Sequence, residues 1–128
     1  MASREAEFYG CPVARTAQII SNKWTPLIVR DLVGGERRFS ALEKSLVGIS
    51  PKTLTERLKY LEAERIVRRR CYAEVPPRVV YSLTEKGRAL VPIIECMREY
   101  GRVWLASDER RATSDETLAD LFADEAPP

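Results

Sequence analysis

A mainly α fold carrying one small β-hairpin is what the sequence predicts, and three observations predict it. Apolar residues recur at helical spacing through residues 12–64 and again from 84 to 106. Between these stretches, from Ile66 to Leu83, the period changes to two on either side of a Pro76-Pro77 pair. The third is size: 128 residues, 45% apolar and 31% charged, suit one core that needs neither disulfide nor metal to fold.

The elements follow in order. Val13, Ala17 and Ile20 stand at i, i+4 and i+7, so residues 12–21 read as a short helix with Pro12 at its first position. Asn22-Lys23 breaks it. A second helix runs from Trp24 to about Val33, with Trp24, Leu27, Ile28 and Leu32 apolar and Gly34-Gly35 at its end; Pro26 is tolerable only in its first turn. Ser40-Ala41-Leu42-Glu43 has the capping-box pattern and is expected to open a third helix through Leu46, with Ser40 as its cap. In Gly48-Ile49-Ser50-Pro51, Ser50 suits an N-cap, Pro51 the first helical position, and Ile49 a staple onto Leu54. The fourth helix then covers 51 to about 64. Two short helices joined by a brief Gly-containing turn make a helix-turn-helix pattern. The hairpin from 67 to 83 follows, its prolines unable to donate ladder hydrogen bonds. Thr84 caps a long fifth helix expected to reach Ala106 with a kink at Pro92. The expected organisation is one domain over 1–106 and an acidic, weakly ordered tail over 107–128.

Composition excludes more than it assigns. There is no histidine, which removes the usual general base and the commonest metal ligand. The three cysteines (Cys11, Cys71, Cys96) are widely spaced, with no C-x-x-C, and no glycine-rich phosphate loop is present. Neither an enzyme, a metal site nor a bound cofactor is expected. No apolar run approaches the roughly 18–20 residues of a membrane span. The polar start Met1-Ala2-Ser3-Arg4-Glu5 lacks a signal-peptide core, so a cytoplasmic protein with no membrane partner is expected. Charge is segregated: residues 50–88 carry ten basic and five acidic side chains, residues 107–128 two and seven. A basic middle before an acidic tail points to a polyanion partner.

Helices, a helix-turn-helix and a two-stranded wing, in that order, are a winged helix-turn-helix. At 100° per residue Leu54, Leu58 and Leu61 of the fourth helix fall within about 60° of one another, and Lys52, Glu56 and Lys59 fall opposite. Thr53 and Thr55 flank that polar stripe, which begins at the helix start, where a recognition helix meets base edges. Lys52 suits guanine O6/N7 or a phosphate, the threonines suit either base edges or thymine methyls, and Glu56 suits a cytosine amino group or orients its lysine neighbours. Ser50 and the first-turn N–H groups suit a phosphate, and Arg37 and Arg38 before the third helix and Arg68 and Arg78 on the wing suit phosphates or a minor groove. A similar outer face also occurs on ordinary surface helices.

Five segments carry a more specific likeness: Cys11-Pro12-Val13, Lys23-Trp24-Thr25-Pro26-Leu27-Ile28, Arg38-Phe39-Ser40-Ala41-Leu42, Gly48-Ile49-Ser50-Pro51-Lys52-Thr53-Leu54-Thr55, and Glu74-Val75-Pro76-Pro77-Arg78-Val79-Val80-Tyr81-Ser82-Leu83-Thr84. Together, and in this order, they resemble the HxlR family of bacterial transcription regulators over residues from about 11 to 105. The resemblance implies a homodimeric winged-helix protein related in architecture to MarR regulators. It also implies that helix 51–64 is the recognition helix, that 67–83 is the wing, and that double-stranded DNA is the partner.

Two further features bear on assembly and control. Leu90, Ile94, Met97, Gly101 and Trp104 form one stripe on the fifth helix, and Ile93, Cys96, Tyr100 and Val103 a second beside it, wider than a single packing seam requires. The reading is a dimer interface through Ile93, Cys96, Met97, Tyr100, Val103 and Trp104, against the alternative of one broad core face. Cys11 precedes Pro12 and so occupies the helix N-cap, where the positive end of the helix and Arg15 favour the reactive thiolate. The resemblance implies that a cysteine here can sense oxidants or electrophiles; the alternative is a small packing residue. Cys71 and Cys96 are expected to be buried packing residues. A small-molecule effector pocket between the dimer helices, lined by Trp24, Tyr100 and Trp104, is the competing switch, against the alternative that these aromatics belong to the core. The rival reading of the whole chain is a winged-helix module for protein association without DNA binding.

Overall fold

The computed structural model describes Arg4 and residues 10–106. The chain divides into two compact units at Val91–Pro92. The first contains α1 (Pro12–Ile20), α2 (Trp24–Leu32), β1 (Arg37–Arg38), α3 (Phe39–Ser45), α4 (Pro51–Ala63), β2 (Val67–Tyr72), β3 (Arg78–Leu83) and α5 (Glu85–Arg88). The second follows α6 (Val91–Tyr100) into a π-helical turn, Gly101–Leu105. The acidic stretch 107–128, with Leu118, Leu121 and Phe122, lies outside the described residues.

The strands form one antiparallel sheet in the order β1-β3-β2. Strand β1 is two residues long and was not foreseen; Arg37 pairs with Tyr81 and Arg38 with Val80. Strands β2 and β3 pair from Val67–Leu83 to Tyr72–Arg78, as the alternating pattern and the Pro-Pro turn require. The wing therefore has a third strand at its base.

The first unit is held by Ile28, Val29, Leu32, Leu42, Leu46, Leu54, Leu58, Leu61 and Ile66, all almost fully buried, with Val67, Val80, Tyr81 and Leu83 from the sheet. Pro26 falls in the first turn of α2, as required, and the Trp24 N–H is capped by Asn22 Oδ1 at 2.8 Å. In the turn between α3 and α4, Gly48 takes φ +91°, a region costly to a side chain. The end of α4 reverses direction through Arg65 at φ 62°. The Arg65 N–H donates to Glu62 O at 3.0 Å and the Ile66 N–H to Leu61 O at 2.8 Å, a Schellman closure with arginine where glycine is usual.

Three expectations need correction. Helix α3 starts at Phe39 rather than after Ser40: Arg38 is its N-cap, with extended φ −78°, ψ 157°, because Arg38 is also the last residue of β1. Ser40 is inside the helix and caps nothing.

The helix from Thr84 does not run through to Ala106. Thr84 does cap it, accepting from the Gly87 N–H at 3.0 Å, but α5 stops at Arg88 and α6 restarts at Val91. Pro92, which lacks an N–H, sits at the second position of the new helix, where none is needed.

Cys71 and Cys96, expected to be buried, are exposed, as is Cys11. Cys71 lies on a part of β2 that extends past the core, where only Val67 is buried. In α1, Val13 is 77% exposed, Ala17 is exposed and Ile20 half-buried, and Ala14 is the buried residue.

Candidate nucleic-acid interface

Helix α4 presents the polar face its sequence foretold. Leu54, Leu58 and Leu61 are buried at 0%, 1% and 0% exposure, which fixes the rotation of the helix and turns Lys52, Thr55, Glu56 and Lys59 to solvent. Ser50 caps the helix, its Oγ accepting from the Thr53 N–H at 3.1 Å and donating to Thr53 Oγ1 at 2.9 Å. The Thr55 hydroxyl donates to Pro51 O at 2.8 Å, which leaves its oxygen lone pairs as acceptors. Pro51 has no N–H and that of Thr53 is taken, so the Lys52 N–H is the first free donor at the positive end of the helix. Among the described residues none of Lys52, Glu56 and Lys59 is in an ion pair. Glu56 therefore does not orient its lysine neighbours by a salt bridge, and all three charges are exposed and unpaired among the described residues.

The arginines divide by strand. Arg37 and Arg38 on β1 and Arg68 on β2 are exposed, and so are Arg69 and Arg70, which the sequence reading passed over. Residues paired across an antiparallel sheet share a face. The register puts Arg37, Tyr81 and Arg69 in one row and Arg38, Val80 and Arg70 in the next, so each outer strand contributes one cation on either side of β3. Arg78 is not free in the same sense. Its guanidinium lies 4.2 Å from the Tyr72 ring centroid and its Nη2 pairs with Glu74 Oε1 at 3.1 Å. The missed signal was the run Arg68-Arg69-Arg70: three consecutive basic residues on an edge strand put cations on both of its faces.

The remaining expected sites sit elsewhere. Cys11 is the N-cap of α1, with extended φ −71°, ψ 125°; its carbonyl accepts from the Arg15 N–H at 2.9 Å and its thiol makes no cap bond. On α6 and the π-helical turn, Ile93 is half-buried, Cys96 is exposed, and Met97, Tyr100, Val103 and Trp104 are 46%, 60%, 48% and 64% exposed. Trp24 is half-buried under Lys23, whose Nζ lies 4.6 Å from its ring centroid. A cleft of about 480 Å³ in the first unit is lined by Arg15, Thr16, Tyr60, Glu64 and Lys86 rather than by Trp24. No helix among the described residues is long and apolar enough to cross a membrane.

Comparison with known proteins agrees with this geometry. A family model described as HxlR-like helix-turn-helix matches residues 19–109. The HTH-type transcriptional regulator sll1512 of Synechocystis sp. is 43% identical over 98 residues, 77% of this chain and 73% of its own length. The redox regulator HypR in its reduced form superposes with a TM-score of 0.71 at 40% identity, over 76% of this chain and 99% of that one. The reduced transcriptional regulator YodB of B. subtilis does so with a TM-score of 0.65 at 37% identity, over 73% and 93%. HypR in its oxidized form and diamide-treated YodB match as well.

Proposed function

This chain belongs to the HxlR family of helix-turn-helix transcriptional regulators, and on that premise we propose that it binds operator DNA as a homodimer. The operator is pseudo-palindromic, and oxidation of Cys11 switches binding. The observation that carries the reading is the start of α4. An exposed face of Lys52, Thr55, Glu56 and Lys59, with no internal ion pair, begins at a capped helix end with a free N–H. Such a face is suited to base edges in the major groove, while its N-terminus suits a phosphate. Lys52, Thr53, Thr55, Glu56 and Lys59 read the groove. Ser50, Arg37, Arg38 and Arg68 hold the backbone, and Arg78 acts through the wing. The reading assigns the chain no catalysis.

The homodimer is supported by large apolar side chains left at the surface. Met97, Tyr100, Val103, Trp104 and Leu105 are all at least 46% exposed within about two turns. A contiguous apolar patch of this kind marks an interaction surface, and a second copy of the chain is the occupant proposed. Two-fold pairing would set the recognition helices about 34 Å apart, on successive turns of the duplex. The thiol switch is supported by the exposure of Cys11 and by similarity to HypR and YodB, which have structures in reduced and in oxidized or diamide-treated forms.

Fluorescence anisotropy tests the reading. Duplex from immediately upstream of the gene is titrated with reduced and with mildly oxidised protein against excess random competitor. Specific binding with a log-log salt slope of several units is expected, since phosphate contacts release counterions, and oxidation should abolish it. Binding without a salt slope, or none to any duplex, would favour the protein-association reading.

A further inference from the structure

One face of the wing is organised by one tyrosine. The register places Arg68, Arg70 and Tyr72 of β2 beside Ser82, Val80 and Arg78 of β3, on one face of the sheet. The opposite face holds Val67, Tyr81 and Leu83, all buried; on the Arg70 face Val80 is buried too, while Arg68 and Arg70 themselves stand exposed. There the Tyr72 ring carries the Arg78 guanidinium at 4.2 Å, while its hydroxyl accepts from Arg70 Nη1 at 3.4 Å. Arg78 is held from elsewhere by Glu74 at 3.1 Å; its side chain is 29% exposed and its Nε is buried.

The two arginines are thus treated differently. Arg78 has its charge neutralised by a carboxylate and covered by a ring. Among the described residues Arg70 hydrogen-bonds to a neutral hydroxyl, which orients a cation without cancelling it; the Glu36 carboxylate acts on it more weakly, and it stands exposed. Arg38 lies in the same cross-sheet row, beyond Val80, about 10 Å from Arg70 at ordinary strand spacing.

We propose that Arg70 is a phosphate-binding cation of the wing, alongside Arg68, and that Tyr72 is its positioning residue, with Arg78 and Glu74 as the buttress that fixes the Tyr72 ring. The ligand is the duplex DNA backbone, so the proposal rests on the DNA-binding reading above and deepens it. Arg78 acts through Tyr72 and makes no phosphate contact of its own.

The test uses random-sequence duplex, because phosphate contacts carry no sequence information. Arg70→Ala should weaken binding about tenfold at fixed salt and flatten the log-log salt slope by about 0.9. Tyr72→Phe keeps the ring under Arg78 and removes the hydroxyl; it should weaken binding about threefold, an effect that vanishes in the Arg70→Ala background because the two act as one unit. Arg78→Ala should likewise add nothing to Arg70→Ala. Thermal melts monitor folding, and exposed Arg70 can be replaced without touching the core. Unchanged affinity and slope in Arg70→Ala would overturn the proposal by itself. So would a Tyr72→Phe loss undiminished without Arg70, or a further unit of slope lost when Arg78 is removed as well. Wild-type protein that binds no duplex would sink the DNA-binding reading; wild-type binding that ignores Arg70 would sink only this assignment.

Discussion

Replacing Gly87 with alanine should destabilise the first unit, although alanine is the better helix former. A Cβ built on Gly87 would lie 2.1 Å from Ile66 O and 3.2 Å from Leu83 Cδ2. An ordinary carbon–oxygen contact is about 3.3 Å, so α5 and Ile66 must separate by about 1 Å. That joint is held by the Thr84 N–H donating to Ile66 O at 3.0 Å and by the Thr84 hydroxyl, whose one proton is shared between Arg65 O and Ile66 O. Each donor contributes about 1 kcal/mol net, and a 1 Å displacement disrupts both. Against this, alanine in place of glycine in a helix gains about 1 kcal/mol. The balance is a loss of about 1 kcal/mol, or about 4–8 °C in Tm for a domain of this size. Thermal unfolding followed by circular dichroism at one fixed protein concentration measures it, since assembly would otherwise shift the midpoint. Gly34→Ala is the control: its Cβ would meet only the flexible Arg37 Nη2 at 3.7 Å, and its effect should stay within about 0.5 kcal/mol. Gly87→Ala melting at or above wild type would refute the reasoning, because the clash would then have been relieved without loss of the Thr84 bonds.

Four other outcomes are expected. Lys52→Ala should cost about 1–3 kcal/mol on the operator and much less on random duplex if Lys52 reads a base; equal losses on both would make it a phosphate contact. Ser50→Ala removes the acceptor of the Thr53 N–H and should lower stability by about 1 kcal/mol, seen in urea as a reduced midpoint at unchanged slope. Trp104→Lys places a charge on the exposed apolar face and should convert the proposed dimer to monomer in sedimentation velocity; a dimer that persists unaltered would put the interface elsewhere. Cys11→Ser should bind upstream duplex as reduced wild type does and keep binding after mild oxidation, whereas retained sensitivity would point to exposed Cys71 or Cys96.

What could be read from sequence follows from the range of each signal. The start of α4 was legible because Ser50-Pro51 and the Leu54, Leu58, Leu61 spacing act within one helix. The hairpin was legible because alternation and the Pro-Pro turn lie within one segment. Strand β1 was not, since two residues have no period and Arg37-Arg38 become a strand only by pairing with residues more than forty positions away. That same pairing, which makes Arg38 extended, moved the start of α3 back to Phe39 and displaced the Ser40 cap. For the candidate site, spacing identified which face of α4 is polar, and burial of the leucines agrees. Periodicity does not say what an apolar stripe packs against, which is why Val13 of α1 is found at the surface. Nor does composition separate a free cation from a paired one: Arg78 and Arg70 look alike in sequence, and only the contacts with Glu74 and Tyr72 tell them apart.

The strand order β1-β3-β2 leaves β2 as an outer strand along its full six residues, with one side of its backbone unpaired within the described chain. A bare strand of that length invites strand addition, in which copies join edge to edge into open-ended ribbons. Arg68, Arg69 and Arg70 occupy the middle of it, one after another, so an incoming β2 would have to lay three like charges against three. The run suited to an anionic backbone would therefore also oppose self-templating along this edge, by setting like charges against like. Neutralising all three arginines would be expected to cost more than DNA affinity, and turbidity on standing would reveal it.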